Sequence, residues 1–471
     1  MFPKEGNVDE RAVFVENRTG AMRFDSCHIR RRESMSETET ARYTGLVNHL
    51  KAHLLSEEFK ERYRQSAKNF MRHRCLPFTF VVLFLLNLVK RSLQDELDEF
   101  FRVVLDTPIA MRVVSKSAWT QARRKLKYEA FVELNDEQIA YFYENFEPVK
   151  WNGYRLLATD GSMAELPNVQ EICEHFGVWH PAAGGECPKA RVSQLFDVLN
   201  HVTIQALIEP KEQGERVLAQ KHVKHLQPGD LLLVDRGYPA FWLFRSILAQ
   251  NADFCARMNL GKPWQVVEKF VTTGLSEQIV TVNPCYEAKK MCQELGLSTA
   301  PLTLRLVRVE LSTGEVEVLI TSLLDMQLIP HAQFSDLYHS RWPVEEDYKV
   351  IKSRIEVENW SGKTVLAIYQ DFHAKIFTKN LTAILTHPAQ AVVAQETSSR
   401  QHTYRVNMTN ALSKMKDAVV CLLLRLHIHD ILQALWTQFT STIEPVRPNR
   451  SVPRRMRVRP KKYAFAYKST R

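Results

Sequence analysis

From about residue 151 the apolar residues change from helical to strand spacing, which limits the chain to a helical segment followed by a mixed α/β unit. Residues 42–145 read as helices throughout. A core helix is predicted near 77–90, another near 92–104, and a third opening at Ser115 or Ser117, either of which makes a good N-cap. Beyond the switch, residues 154–159, 192–200 and 202–209 read as three successive antiparallel strands. A helical stretch near 212–224 follows, then a strand over 231–235, a helix over 239–250 and a strand over 254–258. The predicted order is β-β-β-α-β-α-β. Two of these strands end in an acid and a turn: Asp160 before Gly161-Ser162, and Asp235 before Arg236-Gly237. Acids at strand ends are often only turn formers, since Asp bonds its own downstream backbone. At the ends of adjacent core strands, however, two carboxylates would share one sheet edge, and like charges that close repel unless a cation lies between them. Oxygen-only donors of this kind suit Mg2+ or Mn2+.

A second constraint is the segment Tyr338-His-Ser-Arg341-Trp342-Pro343-Val-Glu345-Glu346-Asp347-Tyr-Lys-Val-Ile-Lys352, which reads Tyr-x2-Arg-x3-Glu-x6-Lys. Pro343 belongs at the first position of a helix, where its missing N–H costs nothing. Glu345, Glu346 and Asp347 then fill the first turn, where the helix dipole favours negative charge. Glu345 and Lys352, seven residues apart, share one helix face within about 20° and about 10 Å of rise, whereas Glu346 projects about 100° away. Tyr338 and Arg341 stand just before the helix. A carboxylate, a Lys and an Arg converging beside a helix N-terminus suit a metal-bound phosphodiester better than a neutral substrate. A lone Glu/Lys face is usually solvated surface, so this reading depends on Asp160 and Asp235.

Taken together, Asp160, Asp235 and Glu345 give the chain a pattern that resembles the bacterial DDE transposases of the insertion-sequence-four family, whose signature is the same Tyr-x2-Arg-x3-Glu-x6-Lys arrangement. Ala190-Arg-Val-Ser-Gln-Leu-Phe-Asp197, Val234-Asp235-Arg236-Gly-Tyr238, Ser92-Leu-Gln-Asp-Glu-Leu97 and Val114-Ser-Lys-Ser-Ala-Trp-Thr-Gln-Ala-Arg-Arg-Lys125 also match, so the likeness spans most of residues 45–380. The resemblance implies an α/β protein with an RNase H-like catalytic core and an inserted β-subdomain. A helical DNA-binding domain would precede the core; a helical C-terminal region and a basic tail would follow it. The 110 positions from Asp235 to Glu345 leave room for the insert, and 303–310 and 315–322, joined through Ser312-Thr313-Gly314, read as a hairpin. The implied divisions are an N-terminal segment 1–41, an end-binding domain 42–148, a first core part 149–262, the insert 263–330, a second core part 331–390, a helical region 391–445 and a tail 446–471.

The chemistry implied by the resemblance is two-metal phosphoryl transfer on double-stranded DNA, with no small-molecule cofactor. Asp160 would bridge two Mg2+ ions, with Mn2+ as a substitute, and Asp235 and Glu345 would each complete one side, so all three are catalytic residues and metal ligands. Water attacks first, and the freed 3′ hydroxyl attacks next. Tyr338, Arg341, Trp342, Lys352 and Arg236 would contact DNA near the cut, while Arg123 and Arg124, on a helix with Trp119, Gln121 and Lys125, would read the element's end. Synapsis of two ends implies a homodimer. Hairpin-forming relatives stack an extruded base on aromatics that include a Trp in the insert, but residues 265–341 hold no Trp. Trp342 matches the second aromatic, and Phe270, Tyr286 or Trp264 would substitute for the first. A nuclease on the same fold would share the acids but not need the Tyr/Arg/Lys signature; a host-adopted DNA-binding protein would be expected to have lost an acid, and all three are present.

A chain of 471 residues is too long for one core. Net charge is +10, and ten Arg and Lys with no acid lie from Arg447 onward, interleaved with Tyr463, Phe465 and Tyr467. That tail is predicted to bind a polyanion, most naturally the DNA backbone. The eight cysteines contain no Cys-x-x-Cys pair, which argues for reduced thiols, and Cys173, His175, His180 and Cys187 have poor zinc spacing and read as a polar loop. The longest apolar run, 78–89, is too short for a bilayer, and a cytoplasmic, nucleoid-associated bacterial protein is expected. Residues 1–35 show no sustained periodicity, end in the basic Arg30–Met35 stretch, and leave Met35 as an alternative start. The apolar run 418–435 either closes the core or builds a dimer contact.

Overall fold

Ser hydroxyls cap three of the helices of the N-terminal half. In the computed structural model, which describes residues 13–16, 22–25, 36–72, 74–180, 187–261, 264–311 and 314–447, the Ser36 hydroxyl accepts from the Glu39 N–H and the Ser115 hydroxyl from the Ala118 N–H. The third predicted helix therefore starts at Ser115, not Ser117. Ahead of it lie β1 (Val13–Glu16) and β2 (Met22–Asp25), an antiparallel pair where no periodicity was expected. The basic 30–35 stretch and the tail from 448 lie outside the described residues. The helices are α1 (Glu37–Leu55), α2 (Glu57–Tyr63), α3 (Phe78–Leu86), α4 (Leu93–Leu105), α5 (Lys116–Arg123) and α6 (Glu129–Asn145).

The α/β part begins with β3 (Arg155–Glu165), α7 (Gln170–Phe176), β4 (Val178–Trp179), β5 (Cys187–Asp197), β6 (Val202–Pro210) and α8 (Glu215–Val223). It continues with β7 (Asp230–Val234), α9 (Phe241–Ala249), β8 (Asp253–Arg257), α10 (Gln265–Thr273), β9 (Glu277–Val282), α11 (Tyr286–Glu294), β10 (Leu302–Glu310) and β11 (Val316–Thr321). The strands form one nine-stranded sheet in the order β4-β5-β3-β7-β8-β11-β10-β9, with β6 also on β5. β3–β7 and β7–β8 are parallel, and the other pairs are antiparallel. The predicted β-β-β-α-β-α-β order is present in β3, β5, β6, α8, β7, α9 and β8.

The insert joins the central sheet. Its hairpin, β10–β11, forms as predicted, but β11 pairs with β8, matching Leu319 with Arg257 and Thr321 with Cys255. It therefore extends the central sheet instead of building its own, because β8 has an open edge to pair with. It also carries two helices, α10 and α11.

Alternation along the strands divides the sheet's apolar residues between two faces. Leu156, Ala158, Leu231 and Leu233 pack under α12 (Phe334–His339), α13 (Pro343–Ser353) and the start of α14 (Val365–Glu396), while Leu157, Leu232 and Val234 pack against α8–α10. The chain closes with β12 (Tyr404–Val406), α15 (Met408–Leu424, kinked at Lys416–Asp417), α16 (Ile428–Ser441) and β13 (Ile443–Pro445). Val419, Val420, Leu422, Leu423, Leu432 and Leu435 join the apolar cluster of the N-terminal helices. The 418–435 run thus closes the core.

A buried polar knot ties these parts together. Lys379 on α14 bonds both Asp347 oxygens on α13 at 2.8 Å and the Thr203 hydroxyl on β6 at 2.6 Å. Next to it, the Asn380 amide reaches Thr203 and the Asn135 side chain on α6. Removing one partner of a buried ion pair strands the other charge. Lys379→Met should lower unfolding free energy in urea titrations by about 3–5 kcal/mol, and Lys379→Met with Asp347→Leu should recover most of the loss.

Candidate active site

The register of β3 on β7 sets the geometry of the site. Ala158 is paired with Leu233, so the same register, carried two residues further, brings Asp160 level with Asp235, which lies one residue past the end of β7, with the strands about 4.8 Å apart. Asp160 is not at a strand end, as expected, but inside β3, which runs on to Glu165 because β5 keeps pairing with it (Asp160↔Gln194 through Glu165↔Lys189). Gly161 and Ser162 are therefore extended, not a turn. A Cβ at Gly161 would sit 3.2 Å from a Glu215 carboxylate oxygen, so the glycine makes room for Glu215, which pairs with Arg191 at 2.9 Å.

α13 lies along the same strand. Pro343 takes its N-terminal position as predicted. The Tyr348 hydroxyl donates to the Asp160 carbonyl at 2.7 Å, and the Lys352 ammonium to the Met163 carbonyl at 2.7 Å. These bonds place Glu345, one turn before Tyr348, beside the two aspartates, and its charge bears on Asp160. Glu346 turns outward to Lys349 and the Trp342 indole.

Two arginines hold the acids. Arg257, at the end of β8, bonds Asp235 Oδ1 through Nε at 2.8 Å and through Nη2 at 2.7 Å, and also reaches Glu317 on β11. Arg341 bonds Glu345 at 2.6 Å. Tyr338 donates to Asp235 at 3.2 Å, and both guanidiniums lie against its ring, at 5.9 and 5.7 Å. Asp235 would be raised by burial, but the Arg236 N–H and the charges of Arg257 and Arg341 hold it below the usual range. Asp160 behaves oppositely. Burial pushes it up to about 6; the Gly161 N–H and Arg341 oppose that rise, and the charges of Glu345 and Asp235 add to it.

Among the described residues no three His, Cys, Asp or Glu side chains stand close enough together to hold a metal ion. The donor set still fits a hard divalent cation: three carboxylates, two bonded to arginines and the third raised partly by its like-charged neighbours.

Other predicted contacts separate into two groups. Arg236, Arg124 and Trp342 are exposed, Trp342 at 46%. Arg123 is not available to DNA. It is buried, paired with Asp371 at 3.0 Å and bonded to Gln370 and Ser361, because α5 packs on α14 and turns this arginine inward with the fully buried Trp119. Lys352 is partly buried, and burial lowers its ammonium below the ordinary value. Cys173 bonds Asn168 and His175 bonds Tyr369; none of the seven described cysteines forms a disulfide, and Cys27 lies outside the described residues. Sequence reasoning missed Arg257, although it ends an apolar strand in a charge just as Asp235 does. It also missed Tyr348, which one sequence cannot distinguish from a core tyrosine.

A raised carboxyl in the fold penalises folding once it ionises. The penalty is absent below the unfolded value of 3.8, grows as pH rises, and is complete above about 6. Asp160→Asn should therefore stabilise the metal-free protein by about 2–3 kcal/mol at pH 8 and leave it unchanged at pH 3.5, as read by denaturant titration at the two pH values.

Residues 151–381 match the family described as Transposase DDE domain. Transposase InsG for insertion sequence element IS4, from Escherichia coli strain K12, is 24% identical over 317 residues, covering 66% of this chain and 69% of that protein. Putative transposase InsZ from the same strain is 25% identical over 217 residues, 45% of this chain and 70% of its own. A solved piggyBac transposase synaptic complex with hairpin DNA aligns over 84% of this chain and 82% of its own at 11% identity, with a TM-score of 0.39. Among the described residues no helix is long and apolar enough to cross a membrane. The domain match takes in Asp160, Asp235 and Glu345 together with the Tyr338–Lys352 signature, and with the two relatives it supports a bacterial DDE transposase of the insertion-sequence-four family.

Proposed function

We propose that the chain binds the terminal inverted repeats of its own insertion sequence and moves that element by cut-and-paste transposition. Strand hydrolysis frees a 3′ hydroxyl, which then attacks target DNA. The observation that supports this most is the convergence of Asp160, Asp235 and Glu345, from two parallel strands and one helix, with arginines already among them. The strand order β6-β5-β3-β7-β8, with Asp160 on the central β3, Asp235 just past the adjacent β7 and Glu345 on a later helix, fits an RNase H-like core.

When bound, two Mg2+ ions, or Mn2+ in their place, would supply Lewis-acid stabilisation of the attacking and leaving oxygens. Asp160, Asp235 and Glu345 would hold them. Arg341 presents a planar, permanently charged donor suited to a phosphate, and Tyr338 remains a neutral hydroxyl donor because burial, reinforced by Asp235, raises its titration far above neutral pH. Arg124, Arg236 and Trp342, which are exposed, and the basic tail would contact DNA in this reading; Lys352 supports it through β3. For a hairpin intermediate, Tyr286, 78% exposed, is the better candidate for the first stacking ring, since Phe270 is buried. Two protomers, each seated on one end, would make the synaptic complex. The divisions at 149, 263, 331 and 446 are kept in this reading, while those at 42 and 391 fall inside α1 and α14 and move to the start of α1 and the end of α14.

With Mg2+ and a labelled duplex carrying its own element's end, the protein should nick at the end and join strands. Glu345→Gln should reduce both by about a thousandfold or more while leaving end binding within a few-fold. Cleavage surviving in Glu345→Gln would overturn the assignment of the third acid, and binding without cleavage in both proteins would favour a DNA-binding relic. On DNA binding, Arg124→Ala should lower the salt slope by about 1, whereas Arg123→Ala should leave the slope unchanged and lower thermal stability.

A further inference from the structure

Arg257 is the charged group at the site to which neither the signature nor the reading above gives a role. Its guanidinium spans Asp235 on one side and Glu317 of the inserted hairpin on the other. Arg341 makes the matching contact to Glu345, is 5% exposed, and keeps its Nε without a partner among the described residues. The two ion pairs engage one oxygen on each of two of the three carboxylates, Asp235 Oδ1 and Glu345 Oε1. A cation that takes those oxygens competes with an arginine, and a displaced guanidinium needs another anion. DNA supplies one, because phosphate oxygens offer a guanidinium the same bidentate, charged partner that a carboxylate does.

We propose that Arg257 is a positioning residue that, with Arg341, holds the carboxylates closed to divalent cations in the free protein and passes to DNA phosphates when DNA is seated. Metal loading is thereby coupled to DNA binding, and the coupling is reciprocal: the factor by which DNA tightens metal binding equals the factor by which metal tightens DNA binding. The inference rests on the carboxylate site proposed above. Arg257 acts through Asp235, and Glu317 fixes the other end of its guanidinium.

The test is Mn2+ binding to the full chain without DNA, followed by calorimetry and by the electron paramagnetic resonance of free Mn2+. Arg257→Gln should bind Mn2+ about tenfold more tightly than the unsubstituted protein, a size typical of such coupling. Arg257→Lys, which keeps a cation beside Asp235, and Glu317→Gln, which leaves the Arg257–Asp235 pair intact, should bind as the unsubstituted protein does. A non-specific duplex should tighten Mn2+ binding about tenfold in the unsubstituted protein and much less in Arg257→Gln. If Asp235→Asn weakens Mn2+ binding but Arg257→Gln, melting as a folded protein, does not strengthen it, the coupling is overturned and the carboxylate site stands. If Asp235→Asn leaves Mn2+ binding unchanged, the site reading falls and takes this inference with it.

Discussion

Four parallel pairs, Arg155↔Asp230 through Ala158↔Leu233, decide where Asp160 and Asp235 stand relative to each other. The first of these pairs is also a buried bidentate ion pair, with both Arg155–Asp230 bonds at 2.7 Å and the Arg155 guanidinium over the Tyr143 ring at 4.7 Å. A slip of one residue would break that pair and put Asp235 on the opposite face of the sheet from its present one. The register that levels the two acids is therefore set by charges at the far end of the strands. Asp230, which opens the Leu231–Val234 run, carries this job; Asp235, which ends it, stands at the site.

Much of this was legible in the sequence. The apolar runs before Asp160 and Asp235 mark buried strands, and Pro343 marks a helix start, because these signals are local. Strand β3's continuation past Asp160 was not legible, since a Gly-Ser pair after an acid reads as a turn and only the long partner strand β5 keeps it extended. The placement of the insert was hidden for a similar reason. A hairpin's own sequence says that it folds back on itself, but which edge it joins depends on the open side of β8.

Charge was the least legible feature. Arg123 and Arg124 are adjacent on a short basic helix, yet one is buried against Asp371 and the other is exposed. Rotation by one position separates a structural ion pair from a group free to meet DNA, and a single chain gives no means of fixing that rotation. Asp347 stood in a run of three acids whose roles diverge completely: Glu345 faces the aspartates, Glu346 faces outward, and Asp347 is buried on Lys379.

The 32-residue helix α14 is buried along most of its length. Its first turns, at Ile368, Phe372 and Ile376, belong to the core under the sheet, and its later turns, from Phe377 through Leu381, Ile384, Leu385, Ala389 and Val393, belong to the helical core. The stretch that matches the DDE domain ends at residue 381, inside this helix. Domain boundaries drawn from sequence similarity thus do not coincide with units that can fold alone. A fragment cut there would bare the apolar side of α14, and insertions or fusions are better tolerated at its flanks than at that border.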